Sequence, residues 1–217
     1  MAVSTQLRRT IYASLMAALI AVGAFISIPI GPVPIVLQNF FVLLTGLLLG
    51  RNWGLGAVAT YLLVGIFGVP VFAGGTGGIG RILGPTGGYL LGYLPAVDVV
   101  GWISAKKPPK VYLDIIALVC GTVIVYACGV PGLKIVTGMP YENSLAVGLL
   151  PFLRGDALKI AAAVPVAYVI RPFIKERPMS FIEINDISHR FSDGSFGIKE
   201  ISLSIDQGSF VVVAGAY

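Results

Sequence analysis

The sequence predicts an all-α membrane protein that ends in a short β-rich soluble tail. Two observations carry that class, and a third sets the number of spans. Hydrophobic residues make up 56% of the 217-residue chain and charged residues only 12%, against about 25% charged in soluble domains. Acidic residues are sparse up to Arg171 (Asp98, Asp114, Glu142, Asp156) and crowded after it (Glu176, Glu183, Asp186, Asp193, Glu200, Asp206). A boundary is therefore expected there, with a membrane domain over 1–171 and a soluble segment over 172–217. Basic residues gather in alternate loops, which fixes how often the chain crosses.

The first span is expected at Ile11–Ile28, after Arg8-Arg9. Its apolar run exceeds the usual signal-peptide core of about 7–15 residues, so it reads as a span. The second, Phe40–Gly50 with help from Ile35–Gln38, and the third, Trp53–Phe67, are short against the roughly 20 residues a crossing needs. The fourth is Gly88–Ser104, the fifth Val111–Val130 and the sixth Leu145–Ile170. Arg8, Arg9, Arg51, Lys106, Lys107, Lys110, Arg171, Lys175 and Arg177 fall at the N-terminus, in loops two and four, and after span six. Loops one, three and five hold only Arg81 and Lys134. Because positive loops stay inside, six spans with both termini cytoplasmic fit the pattern. The same bias accounts for the net charge of +5 without a nucleic-acid partner. Cys120 and Cys128 have no metal-type spacing and read as small hydrophobes. His189, the one histidine, lies in the tail and reads as a surface residue.

Short second and third spans, with a long glycine-rich loop over 69–87, imply irregular backbone at one end of the bundle. Such backbone is tolerated at membrane depth only when protein covers it or it lines a cavity. The cavity should open outward, on the side of the odd-numbered loops. Gly75, Gly77 and Gly80 formally match a dinucleotide fingerprint, but no strand precedes them and no acid follows at the needed distance, so that reading fails. A flexible outer lid whose main chain can approach a ligand is the functional expectation.

Arg154, Asp156 and Lys159 interrupt the sixth apolar stretch. A charge at the centre of a span costs roughly 2.5–3.5 kcal/mol on insertion scales, so it needs a reason. Asp156 and Lys159, three apart, share one helical face. At about 1.5 Å per residue back from Ile170, Lys159 falls near the bilayer midplane and Asp156 and Arg154 in the outer half. The pair reads as the floor of a binding site for a polar small molecule, in preference to a purely structural ion pair. Arg-Gly-Asp at 154–156 is a coincidence within a span, and Arg154 can snorkel to the interface. Tyr89 and Tyr93, four apart, serve either an interfacial aromatic belt or the pocket wall. Ala13 and Ala17, with Ala21 below, form a small-residue stripe for helix contact, within the protein or with another membrane subunit.

Four motifs in order resemble one family: Pro29-Ile30-Gly31-Pro32-Val33-Pro34 with Gln38-Asn39; Gly68-Val69-Pro70-Val71-Phe72-Ala73-Gly74-Gly75; Gly84-Pro85-Thr86-Gly87-Gly88-Tyr89-Leu90; and Gly155-Asp156-Ala157-Leu158-Lys159. They look like BioY, the biotin-specific substrate-binding S-component of energy-coupling-factor (ECF) transporters, over Thr10 to Ile170. The resemblance implies a six-transmembrane-helix S-component bundle in the cell (inner) membrane that captures biotin from outside. It implies no cofactor and no enzymatic activity. Partners would be the lipid bilayer, a transmembrane coupling subunit and a pair of ABC ATPases. By resemblance the substrate-binding set is Gln38, Asn39, Phe72, Gly74, Gly75, Arg81, Tyr89, Asp156 and Lys159, and the docking stripe is Ala13 and Ala17. The family usually has proline where this chain has Arg154, so Arg154 either joins the site or faces the headgroups. Asp156 can accept from ureido N–H groups, and Lys159 can donate to the ureido carbonyl or to the carboxylate. The preferred arrangement has the pair on the ureido ring and loop donors on the carboxylate. An S-component for another vitamin is the alternative; an intramembrane enzyme lacks a second carboxylate, metal set or nucleophile–base pair.

After Pro178 the alternation in Phe181–Phe191 and Ile201–Gly215 indicates strands, with Ser192-Asp193-Gly194-Ser195 as a turn. This segment resembles the first strands of an ABC ATPase, with Phe191 as the adenine-stacking aromatic and Gly215 opening the P-loop. The later Gly-Lys-Ser/Thr that would cradle phosphate is absent, so no hydrolysis by this chain is expected. Few strands without sheet partners bury little, and a poorly ordered tail is expected.

Overall fold

The computed structural model describes residues 5–29, 32–105, 110–174, 180–191, 196–206 and 211–212. Lys106, Lys107, Lys175, Arg177, the 192–195 turn, Gly215 and part of the first motif (Ile30, Gly31) lie outside the described residues. The chain divides into two compact units, 1–174 and 175–217.

The first unit is mostly helical. Its elements are α1 (Thr5–Phe25), a two-residue strand pair β1 (Ser27–Ile28) and β2 (Ile35–Val36), α2 (Gln38–Ile66), α3 (Ile79–Ile82), α4 (Gly87–Ser104), α5 (Val111–Thr137), α6 (Tyr141–Gly148) and α7 (Leu153–Ile174). Four of these (α1, α2, α5 and α7) are long and apolar enough to cross a membrane. α2 is two helices joined at Gly50, whose φ of 71° and ψ of −169° break the helical path. A Cβ on Gly54 would lie 3.6 Å from the Gly46 Cα, so the chain doubles back at Gly50. Only glycine adopts that φ freely, and Gly50 is thus a reversal rather than a packing glycine. Its apparent twin Gly46 does pack: a Cβ there would meet Val100 of α4 at 2.8 Å.

Small residues set the closest helix approach. Gly88 of α4 lies so near α5 that a Cβ would fall 2.5 Å from the Cys128 carbonyl oxygen, and one on Gly92 would meet the Cys128 Cβ at 2.9 Å. Backbones that touch bury apolar area without needing long side chains. Below them, Leu43, Leu44, Leu47, Leu48, Val100, Ala117 and Leu118 form a dry cluster with Met16 of α1 and Ala163 and Ala167 of α7. α7 itself buries little beyond Asp156, Ala163 and Ala167.

Two ion pairs stitch helix ends. Arg51, beside the Gly50 reversal, pairs with Asp98 of α4 at 2.6 Å. Arg171 of α7 donates to both oxygens of buried Asp114 on α5, at 2.6 and 2.7 Å, and to the Leu47 carbonyl of α2. Bidentate geometry makes this the stronger tie.

The expected sixth span differs. The chain breaks between Gly148 and Leu153 into α6 and α7, because Pro151 follows the end of α6 and cannot extend a hydrogen-bonded turn. Arg154, Asp156 and Lys159 therefore occupy the first two turns of α7 rather than the middle of a long helix.

In the second unit, β3 (Ser180–Arg190) and β4 (Phe196–Asp206) pair antiparallel, with several register shifts. The described residues pair as two antiparallel strands, and β4 begins before the expected second strand. His189 is exposed and stacks edge-on to Phe191 at 5.1 Å.

Candidate functional site

Asp156 lies in the first turn of α7, where the helix N-terminus favours negative charge. Its backbone N–H donates to the Phe152 carbonyl at 2.8 Å, which fixes the turn after Pro151. The carboxylate is 5% exposed, and each oxygen carries a donor. Lys159 Nζ reaches Oδ1 at 2.9 Å, and the Tyr126 hydroxyl of α5 donates to Oδ2. A buried charge needs this much satisfaction to be tolerable.

Next to this cluster is a cavity with about 540 Å³ of empty space, its open mouth included. Only about 40 Å³ of it takes the centre of a water molecule. It lies between the first and third loops and the starts of α2 and α4, with Pro34, Gln38, Phe72, Arg81, Tyr89 and Tyr126 among its walls. A second, smaller chamber of about 250 Å³ is bounded by Asn39, Leu43, Thr122, Val125, Asp156 and Lys159. Asn39 faces both chambers, and its Oδ1 accepts a hydrogen bond from the Tyr93 hydroxyl at 2.5 Å. A third space, an apolar crevice of about 1130 Å³ with its open mouth included, separates α5 from α6 and α7 and also touches Tyr126 and Asp156.

The first cavity brings together Gln38, Asn39, Phe72, Arg81 and Tyr89 of the sequence-derived set. Gln38 is 1% exposed, and among the described residues its Nε2 is the one buried side-chain nitrogen or oxygen without a hydrogen-bond partner. Phe72 anchors the third loop: its ring lies over Gly65, where a Cβ would come within 2.2 Å, and edge-on to Tyr61 at 5.6 Å. Tyr89 packs its ring on Gly129 and donates to the Gly148 carbonyl at 2.8 Å, so it braces α4 against α5 and α6 while walling the cavity. Asp156 and Lys159 border the second chamber rather than the first. Gly74 and Gly75 border neither. The Gly75 and Thr76 amides both donate to the Phe72 carbonyl, and Phe72 and Thr76 form a bridge. The glycines thus shape a tight turn (φ 74° and 67°) and those two main-chain donors are already used.

Ala13 turns inward into the core and Ala17 is half-buried. The small residues that α1 offers to its surroundings are Ser14 and Ala18, both exposed. Arg154 is exposed and borders none of the three spaces. Sequence reasoning missed Tyr126, Phe152 and Thr86. Tyr126 gave no distinguishing signal, since Tyr112 lies in the same apolar span.

A buried acid–amine pair beneath a walled cavity, in an otherwise apolar helical bundle, is the build of a membrane protein that binds a polar small molecule. The chain belongs to the BioY family, whose profile matches residues 1–176. It is 41% identical over 171 residues to a biotin transporter BioY of Thermotoga maritima, covering 79% of this chain and all of that one. It is 40% identical over 154 residues to a probable biotin transporter BioY of Pyrococcus horikoshii, covering 71% and 90%. Among solved structures it is similar to the S-component for biotin from an ECF-type ABC transporter. That match has a TM-score of 0.72 and 31% identity, over 79% of this chain and 95% of that one.

Proposed function

We propose that this chain is the biotin-binding S-component of an ECF transporter: it captures biotin outside the cell and hands it to a coupling subunit driven by a pair of ABC ATPases. The observation that carries the reading is the enclosed Asp156–Lys159 pair beside a cavity lined by an unpartnered Gln38 amide and by Arg81. Biotin supplies matching groups. Its ureido N–H groups donate to Asp156, its ureido oxygen accepts from Lys159 or Gln38, and its carboxylate pairs with Arg81. Arg81 takes the place expected of loop amides, because the Gly75 and Thr76 amides are committed within the loop. The apolar walls suit the thioether ring and the aliphatic chain.

Six crossings fit this role: α1, the two arms of α2 on either side of Gly50, α4, α5 and α7. The Arg51 reversal then lies in the cytoplasm with both termini, as the loop charges require, in the cell (inner) membrane. Docking of the coupling subunit falls to the Ser14–Ala18 face of α1, bordered by Ala17, with Ala13 supporting it from within. Residues 1–171 carry the binding function, and 172–217 begin an ATPase-like segment.

Equilibrium binding of biotin, thiamine and riboflavin to the purified protein in detergent tests the ligand. Biotin should bind with submicromolar affinity and the other two should not compete. Biotin affinity weaker than micromolar refutes the assignment.

A further inference from the structure

Asp156 has its two oxygens filled by Lys159 and Tyr126. Tyr126 also borders the first cavity, where the ligand is expected to enter, while Asp156 borders the second chamber. The phenol thus stands between the entrance and the carboxylate. The chamber that Asp156 borders is the smaller of the two, about 250 Å³ against about 540 Å³. A bicyclic ligand that reaches Asp156 must therefore move something. Asn39 borders both chambers and is held by the Tyr93 hydroxyl, while the Tyr126–Asp156 hydrogen bond joins a wall of the first chamber to a wall of the second.

Tyr126 has somewhere to go. Its ring borders the apolar crevice between α5 and α7, the largest of the three spaces. It packs edge-on to Tyr89 at a centroid distance of 6.3 Å, toward the long end of the range for such pairs.

From this geometry, and resting on the biotin reading above, we infer that Tyr126 competes with the ligand for Asp156 and so sets specificity. The Tyr126 hydroxyl holds Oδ2 of Asp156 and itself borders the first cavity, so a ureido N–H arriving from that side meets the phenol at this oxygen. A ligand that donates replaces one bond to the carboxylate with another. A ligand that only accepts breaks the Tyr126 bond and leaves a buried carboxylate oxygen unpaired, which is heavily penalised. Selection for a donor ring thus comes from the cost of displacing the phenol as well as from contacts to the ligand.

The competition has a sign that a plain contact lacks. Tyr126→Phe removes the competing hydroxyl and keeps the ring, so biotin should bind roughly tenfold more tightly, the equivalent of one hydrogen bond to a charged group. In an Asp156→Ala background the same substitution should give no tightening, because the contested acceptor is gone. Binding of biotin to parent, single and double variants by titration calorimetry in detergent reads all three. Weaker or unchanged binding in Tyr126→Phe overturns the inference, as does equal tightening in both backgrounds, which would signal added space alone. A parent that fails to bind biotin overturns the inference together with the ligand assignment, whereas a biotin-binding parent with an indifferent Tyr126→Phe overturns the inference alone. If the variant does not purify as a single species, fluorotyrosine placed at position 126 of the full chain reports instead. Its fluorine resonance must shift on saturation with biotin, and a static resonance overturns the inference.

Discussion

Asp156 gains its value from having both oxygens hydrogen-bonded inside an apolar bundle. Asp156→Asn cannot accept from Lys159 and Tyr126 together, and it removes the charge that draws a ureido N–H. Biotin affinity should fall at least tenfold, from about 1.5–3 kcal/mol for a charged hydrogen bond, with the protein still monodisperse in detergent. Titration calorimetry checks this, and unchanged affinity would remove Asp156 from the site. Arg81 makes a more selective prediction. Arg81→Gln should weaken biotin by about tenfold yet leave biotinamide, which has no carboxylate, within about twofold. Equal losses for both ligands would place the carboxylate elsewhere. Asp156 and Lys159 were legible in the sequence because charges in an apolar run cost free energy and so stand out. Tyr126 was not, since its partner lies 30 residues away and a phenol in a span is unremarkable by composition. Gly74 and Gly75 carry two readings in sequence, because glycine marks both ligand approach and tight turns, and the hydrogen bonds of the loop show the turn.

Elements explain what single residues cannot. α1 faces inward with Ala13, Met16 and Ile20 and outward with Ser14 and Ala18. Ala18→Trp should therefore spare biotin binding and abolish co-purification with the coupling subunit; equal recovery would relocate the docking face. Ala13→Trp is the wrong probe, because it overpacks a filled core. At the far end of α7, Arg171→Met strands the Asp114 carboxylate without its bidentate partner. The expected cost is about 3–5 kcal/mol, read as a clear loss of thermal stability in detergent, while Arg171→Lys should recover part of it. The spacing of Gly46 and Gly50 looks like a single packing motif in sequence, but one packs and the other turns the chain. Gly46 faces Val100 and Gly50 stands beside the Arg51–Asp98 pair, contacts that no local pattern encodes. Pro151 marks the break between α6 and α7, and the apolar residues on both sides of it hide that break in the sequence.

At the scale of the molecule, the family match ends at residue 176, close to the point where the first unit ends at Ile174. A chain stopped after Ile174 should bind biotin with unchanged affinity, measured side by side with the full chain; a loss would give the tail a part in binding. The membrane class and the change at the tail were legible because composition integrates over many residues and tolerates local errors. The pairing of β3 with β4 was harder to see, since two strands alone bury little.

Between the polar cluster at the start of α7 and the Arg171–Asp114 pair at its end lies the leucine-rich layer of α2, α4 and α5. The one fully buried polar side chain of that stretch of α2, Thr45, spends its hydroxyl on the Phe41 carbonyl. Among the described residues, that layer of α2 offers no other buried polar side chain. The bundle thus holds buried charges at two depths, one at each end of α7, with an apolar layer between them.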